Sequence, residues 1–152
     1  MKNNEFKEVY KLFKRKVNLT PNGIAITLGK QELTYKRLDN IANQLACYLK
    51  KELKKINNKG LTKNAIIGLC VERSLSMVIG VLGISKAGGI CVQINPGHSK
   101  ERLKSIIGST CPSLILTNDN IFGKKIFLLL QKHGIADVFP YITPLQPAIT
   151  NL

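Results

Sequence analysis

The chain has 152 residues, of which 44% are hydrophobic and 21% are charged. This length and balance are typical of one globular domain and exclude a disordered chain. The formal net charge of +14 attracts polyanions non-specifically, but the few arginines, the absence of tryptophan and the lack of an RGG or RNP-like segment argue against a specific nucleic-acid partner.

In chain order, the first predicted element is a basic amphipathic helix over residues 1–18. Phe6, Tyr10 and Phe13 recur there at helical spacing, which favours packing on the chain's own domain. Residues 24–35 read as a β-hairpin that turns at Gly29 and Lys30. From residue 35 to 56 the apolar residues recur every three or four positions, which predicts one long helix with a buried face, capped by Thr34.

Three apolar runs that alternate with helical patterns follow. The runs at residues 65–71, 90–94 and 113–117 are typical of strands that are buried on both faces. Ser74 is the predicted N-cap of a helix over residues 75–86, and Ser99 that of a helix that begins at residue 100. This order predicts an α/β fold with a partial doubly wound, mostly parallel sheet and flanking helices, preceded by the hairpin. Residues 124–139 fit a helix, a turn at Gly134 and a short strand.

The glycine-containing stretch at residues 83–103 could hold a phosphate or could be a corner of the sheet. Phosphate loops follow a strand and precede a helix, whereas Gly88 and Gly89 follow a helix and precede a strand. Neither GxGxxG after a strand nor GxxxxGK[ST] is present. The stretch is therefore interpreted as structural, with Gly88 as a left-handed C-cap, Gly89 passing closely into the strand and Pro96 ending that strand.

Other candidate sites in the sequence are weak. Glu72 and Arg73 follow one predicted strand and Asp119 follows another, at the carboxyl ends where α/β proteins often bind ligands. For Glu72 and Arg73, a surface ion pair or a contact at the start of the next helix is the favoured interpretation, and Asp119 is discounted in the same way. No GxSxG motif is present, and two unpaired histidines give little support to a Ser or Cys nucleophile, which needs a nearby base. We assign no catalytic, cofactor-binding or metal-binding residue from the sequence.

The cysteines indicate the cellular compartment. They lie about twenty residues apart without a CxxC pair, which does not fit a zinc site. Cys70 and Cys91 lie inside apolar runs, which favours free thiols in a reducing environment. No signal peptide is visible, and the best apolar run, at residues 77–84, is too short to span a bilayer. These observations predict a cytoplasmic protein without a membrane span.

Residues 19–117 resemble the start of the adenylation domains of nonribosomal peptide synthetases, in the AMP-forming acyl- and aminoacyl-activating ligase superfamily. The first family motif, L-T-Y-x-E-L, is matched by Leu33, Thr34, Tyr35 and Leu38, with Arg37 in place of the glutamate. The second, L-K-A-G-x-A-Y-V-P-L-D-P, is matched at Lys86, Ala87, Gly88, Val92 and Pro96 and departs at Ser85, Cys91, Gln93 and Asn95. The segments "CVERSLSM" and "ANQL" favour the peptide-synthetase branch over acyl-CoA synthetases.

The resemblance implies the first layer of the large N-terminal domain of an adenylate-forming enzyme. Such enzymes convert an amino acid or another carboxylic acid and ATP to an acyl adenylate, with Mg²⁺, and pass the acyl group to the phosphopantetheine thiol of a carrier domain. Their ATP- and substrate-binding motifs lie beyond the two motifs found here, so the resemblance implies no bound cofactor and no activity for this chain alone. Its implied partners are the remainder of the domain and a carrier domain.

The chain accordingly divides into a basic helix at 1–18, the adenylation-domain portion at 19–117 and a divergent or truncated tail at 118–152. Three alternatives remain open. The chain could be a non-catalytic interaction module, a fragment of an acyl-CoA synthetase-like enzyme or a basic nucleic-acid-associated protein.

Overall fold

The computed structural model describes residues 2–57, 64–117 and 138–139. Within these ranges the helices are α1 (Lys2–Leu19), α2 (Tyr35–Asn57), α3 (Leu75–Lys86) and α4 (Lys100–Thr110). The strands are β1 (Ile24–Leu28), β2 (Gln31–Thr34), β3 (Ile66–Cys70), β4 (Ile90–Gln93), β5 (Leu114–Thr117) and β6 (Val138–Phe139). Each predicted element up to residue 117 is present, and β6 is the predicted short strand. The predicted helix and turn before β6 lie outside the described residues.

The strands form two separate sheets. β1 and β2 pair antiparallel as a hairpin, and Gly29 at its turn has φ +59°. The other four strands lie in the order β4–β3–β5–β6, and each neighbouring pair is parallel. Strand β4, which follows β3 in the chain, lies on one side of β3, and β5 lies on the other side. The direction in which successive strands are added to the sheet therefore reverses at β3.

The two faces of the parallel sheet are covered by different helices. On one face, Ile67 and Leu69 of β3 pack in the main core with Leu114 and Leu116 of β5 and with the apolar faces of α2 and α3. On the other face, a smaller cluster contains Cys70, Ile94, Leu103, Ile107 and Ile115, of which two come from α4. Helices on both faces of a parallel sheet confirm the predicted doubly wound architecture.

Helix α1 packs on the rest of the chain with one face. Tyr10 and Phe13 lie against the main core, and the ring of Phe13 is 6.0 Å from that of Tyr35. This confirms that the helix docks on its own domain; the side chain of Phe6 lies outside the described set. Of the helices in the described ranges, none has the length and apolar character that crossing a bilayer demands.

Two of the three predicted N-caps are confirmed. The hydroxyl of Thr34 accepts a hydrogen bond from the amide of Arg37 at 3.2 Å, and Ser99 accepts one from the amide of Arg102 at 3.3 Å. Ser74 occupies the N-cap position of α3, but the prediction that its side chain caps the helix is wrong. Its hydroxyl instead donates to the backbone carbonyl of Glu72 at 3.0 Å, which satisfies an acceptor that β3 leaves behind.

The end of α4 carries a conformation that glycine adopts more easily than any other residue. Cys111 closes the helix at φ +44°, with its side chain exposed. A left-handed non-glycine residue costs about 1 kcal/mol. We therefore expect Cys111→Gly to raise the free energy of unfolding by about 0.5–1 kcal/mol in urea titrations followed by circular dichroism. Cys111→Ala removes the same thiol but keeps the strained φ, and an equal gain in that variant would contradict the explanation.

Candidate functional site

The first candidate site is the edge of the parallel sheet that is formed by the carboxyl ends of β3 and β5. Ligands of open α/β sheets bind outside the carboxyl ends of strands where the winding direction reverses, which here is between these two strands. Glu72 and Arg73 follow β3 at this edge, and Thr117, the last residue of β5, is buried there. Asp119 lies outside the described residues.

Glu72 and Arg73 are both exposed, and neither forms an ion pair with a described residue. The predicted surface ion pair between them is therefore not formed. The alternative interpretation, a contact at the helix start, is met by the backbone of Glu72, which accepts the hydrogen bond from Ser74. Both residues are consequently exposed to solvent at this edge.

The polar side chains that follow β4 are engaged in local contacts. The Asn95 side chain accepts a hydrogen bond from the amide of Gly97 at 2.9 Å, which forms the turn predicted at this position. The amide group of Gln93 contacts the sulfur of Met77 at 3.1 Å. Across the described ranges, His, Cys, Asp and Glu side chains do not gather in threes as a metal site requires. This edge therefore presents single polar groups rather than an assembled reaction centre.

The glycines between α3 and β4 form a helix C-cap, as predicted. Gly88 has φ +81°, and its amide donates to the carbonyl of Ser85 at 3.1 Å. The amide of Gly89 donates to the carbonyl of Ile84 at 3.0 Å, which completes a Schellman motif. A Cβ atom on Gly89 would lie 2.9 Å from the Cδ1 atom of Ile67, so the chain does pass closely into the strand. Both amides are occupied by helix carbonyls and are not available to a phosphate.

A small cavity of about 60 Å³ lies beside this cap, at the amino edge of the sheet. It is lined by Lys7, Tyr10, Asn64, Ser85, Gly88, Gly89, Ile90 and Cys91. Ligand pockets are usually at least about 300 Å³, so the cavity does not hold a nucleotide. Burial raises the pKa of the Cys91 thiol to about 11, and that of Cys70 likewise to about 11. These two thiols are protonated at neutral pH and are therefore poor nucleophiles.

The most developed charged cluster is a buried network around the motif lysine. Lys86, the last residue of α3, has its side chain 4% exposed and places its Nζ atom 2.5 Å from Oδ1 of Asp39 in α2. It also donates to the side chain of Asn43, and its Nζ atom lies 5.9 Å from the centroid of the Tyr10 ring. Lys14 of α1 contacts the other carboxylate oxygen of Asp39 at 3.2 Å. The network joins α1, α2 and α3 immediately before the glycine turn.

The protonation of Asp39 reflects this environment. Burial by itself raises the pKa of Asp39, but hydrogen bonds and charge from Lys86 and Lys14 outweigh burial and hold the pKa below its ordinary value of 3.8. The carboxylate is therefore ionised at neutral pH and neutralises the buried ammonium of Lys86. This gives the lysine of the second motif a structural role in this chain.

Sequence reasoning did not identify Asp39 as a residue of interest. A usable signal was present, because Asp39 and Asn43 lie one turn apart, each beside an inward-facing residue of α2, Leu38 and Ala42. An acid next to the buried face of an amphipathic helix requires a partner, and Lys86 at the end of an apolar helix is a suitable one.

The comparisons with known proteins agree with this architecture. A profile of the family described as "AMP-binding enzyme" matches residues 13–142. One of the linear gramicidin synthase subunits of Brevibacillus parabrevis is 41% identical over 115 residues, which are 76% of this chain and 2% of that protein. Tyrocidine synthase 3 of the same organism is 38% identical over 137 residues, which are 90% of this chain and 2% of that protein.

Two solved structures share the fold. The complex of VinN with L-aspartate has a TM-score of 0.77 at 20% identity, over 95% of this chain and 34% of that chain. NpsA-ThdA, an artificially fused adenylation–PCP di-domain from Klebsiella oxytoca, has a TM-score of 0.62 at 20% identity, over 74% of this chain and 20% of that chain. The chain thus spans about a third or less of each structure and about 2% of each synthase. Since the family profile covers most of its residues, the chain belongs to the AMP-binding enzyme family and is similar to part of a peptide-synthetase adenylation domain.

Proposed function

We propose that the chain forms the N-terminal part of an adenylation domain that activates an amino acid with ATP for nonribosomal peptide synthesis. The observation that carries the proposal is the family match over residues 13–142, supported by the 41% identity to a linear gramicidin synthase. The position of the motif residues in the fold supports it further, because Lys86 and Gly88 together build the joint between α3 and β4.

In this proposal the 152-residue chain does not catalyse adenylate formation by itself. Adenylate formation requires groups that hold the triphosphate and stabilise the charge that develops as pyrophosphate leaves. In the described ranges the glycine amides that could cradle a phosphate are bonded to helix carbonyls, and the cavity beside them is too small for a nucleotide. ATP, Mg²⁺ and the phosphopantetheine thiol of a carrier domain would therefore be handled by the complete domain.

The partners in this proposal are the remainder of the adenylation domain and a carrier domain. The likeness in fold to an adenylation–PCP di-domain supports the second partner. In this proposal residues 19–117 supply most of the sheet layer and residues 1–18 the basic helix, and the family match continues past residue 117 to residue 142. A cytoplasmic location is supported by Cys47, Cys70, Cys91 and Cys111, which are all free thiols.

The test is amino-acid-dependent ATP–pyrophosphate exchange. We expect no exchange above background from the chain alone, with any proteinogenic amino acid. We expect exchange from a chimera in which residues 19–117 replace the matching segment of an adenylation domain of the linear gramicidin synthase. The gramicidin synthase domain without its own N-terminal portion serves as the control and should be inactive.

Each result separates the alternatives. Exchange by the chain alone would contradict its inactivity. A folded chimera that lacks exchange would contradict the adenylation proposal and favour a non-catalytic module. If fusing the chain to the remainder of an acyl-CoA synthetase gave exchange with aliphatic acids, and the gramicidin synthase chimera gave none, the acyl-CoA synthetase branch would be favoured.

A further inference from the structure

The outer side of α1 carries large apolar side chains that no described residue covers. In the described ranges the exposed large hydrophobic residues all lie within α1 and β1. On α1 they are Val9, Leu12 and Leu19, which are 54%, 62% and 66% exposed. Tyr10 and Phe13, on an adjacent side of the same helix, already pack against the main core. The apolar surface of the helix therefore extends past the inner side, and among the described residues only the inner side has a partner.

The outer residues follow the spacing of a short coiled-coil seam. Successive spacings of three, four and three positions separate Val9, Leu12, Lys16 and Leu19. These four residues therefore occupy the a, d, a and d positions of a heptad pattern. A β-branched residue at a and leucine at d favour pairing of two helices. A lysine at one a position sets the partner and the register at some cost in affinity. We refer to these four residues as the α1 seam.

The charges around the α1 seam select among possible occupants. The exposed cationic residues on the helix are Lys7, Lys11, Arg15 and Lys16. Among residues 7–19 the only acidic residue is Glu8, whose carboxylate pairs with the Lys11 ammonium at 2.8 Å. A second copy of α1 would bring these positive charges together, which disfavours self-pairing. An anionic membrane would favour the charge, but the aromatic residues that anchor interfacial helices face inward here, and the helix is held to α2 by Lys14 and Asp39.

We propose that the α1 seam binds a helix of a neighbouring domain or protein that carries apolar residues at the same spacing and a carboxylate facing Lys16. The ammonium of Lys16 pairs with that carboxylate, while Val9, Leu12 and Leu19 pack between the partner's apolar side chains. Because the seam covers fewer than two heptads, the isolated contact is weak. It becomes effective when both helices belong to one assembly, which raises their effective concentration.

The test uses a synthetic amphipathic helix of about three heptads, which is long enough to hold its conformation. This probe has Val and Leu at its a and d positions, except for one Glu at the a position that faces Lys16, and further Glu at the flanking positions. We expect weak, saturable binding to the 152-residue chain by fluorescence anisotropy, and the affinity should fall as sodium chloride is raised. The double variant Leu12→Gln/Leu19→Gln should bind at least about tenfold more weakly.

The matched control is Leu28→Gln, which removes an exposed leucine from β1 and leaves α1 untouched. It should bind the probe as the unmodified chain does, and circular dichroism should show the same helix content in all variants. Lys16→Glu should lose the Glu-containing probe and gain affinity for a matched probe with Lys at that position. This exchange of preference would not arise from general attraction between opposite charges elsewhere on α1.

Other outcomes overturn the proposal. Equal binding of the probe to the chain and to Leu12→Gln/Leu19→Gln would place the contact elsewhere. Dimerisation in sedimentation equilibrium that Leu12→Gln/Leu19→Gln abolishes would identify a second copy as the occupant. Binding to phosphatidylserine-containing vesicles without binding to the probe would identify a membrane surface instead.

Discussion

Asp39→Ala is expected to lower the free energy of unfolding by about 3–5 kcal/mol, which is the cost of leaving a buried charge without its partner. The side chain of Lys86 is 4% exposed, so its ammonium would lose the carboxylate, gain little water and keep only the Asn43 side chain and the backbone carbonyl of residue 39 as acceptors. Domains are stable by only about 5–15 kcal/mol, so this change is a large fraction of the total stability. Urea unfolding followed by circular dichroism measures the change, with an unaltered m value as the sign that the transition remains the same.

Two variants test whether the buried charge is the cause. Asp39→Ala/Lys86→Met removes both charges and should recover much of the lost stability, because an apolar pair of similar size avoids the desolvation cost. Lys14→Met removes the partner that is 45% exposed and should cost less than about 1 kcal/mol. A double variant as unstable as Asp39→Ala would contradict the role of the charge.

The same network predicts a pH dependence. The pKa of Asp39 in the folded chain lies below its ordinary value of 3.8, so its contribution to stability is complete above that value. The contribution is lost as the pH falls through the folded-state pKa, where the carboxylate takes up a proton. The stability difference between the unmodified chain and Asp39→Asn should therefore be constant near neutral pH and should shrink below about pH 4.

Gly83→Val is expected to cost about 3 kcal/mol of stability because it overfills the contact between α2 and α3. A Cβ atom on Gly83 would lie 2.5 Å from Cδ2 and 3.0 Å from Cβ of Leu45. The close Cβ position means that rotating the leucine side chain cannot relieve the clash, so the helices must separate. A decrease in the urea midpoint, together with a change in the near-ultraviolet circular dichroism of the core aromatic residues, would report this separation.

Gly108 is the matched control, because it lies in α4 and a Cβ atom added to it would have no other atom within 4 Å. Gly108→Ala should raise stability by about 0.5–1 kcal/mol through helix propensity alone. Leu45→Ala creates the space that the valine needs, so Gly83→Val should cost less in the Leu45→Ala background than in the unmodified chain. Costs that simply add would show that the two side chains do not compete for the same volume.

Most of the fold was predictable because its signals are local. The periods of the apolar residues distinguish the strands from the helices, and the caps at Thr34, Ser99 and Gly88 depend on residues within one or two turns. The side-chain cap at Ser74 was predicted wrongly for a related reason. A serine hydroxyl at a helix start has two competing backbone partners, and the carbonyl left at the end of β3 decides between them.

The candidate sites were less predictable because they depend on distant residues. The structural role of Gly88 and Gly89 followed from their position after a helix, and the hydrogen bonds to Ser85 and Ile84 confirm it. The partner of Lys86 did not follow, because Asp39 is 47 residues away in the chain. The aromatic side of α1 was predicted to dock, as Tyr10 and Phe13 do, but the exposure of the α1 seam depends on which distant segments reach the rest of the helix.

The sequence by itself determined the order of the strands and helices, the class of the fold and the resemblance to adenylation domains, because each is written in residue patterns that are short or collinear. The tertiary structure alone decided the spatial order β4–β3–β5–β6, the burial of Asp39 with Lys86 and the uncovered face of α1. These features arise when segments far apart in the chain compete for the same apolar surface and the same charged partner. The free energy of that competition depends on the whole packed arrangement rather than on any one segment.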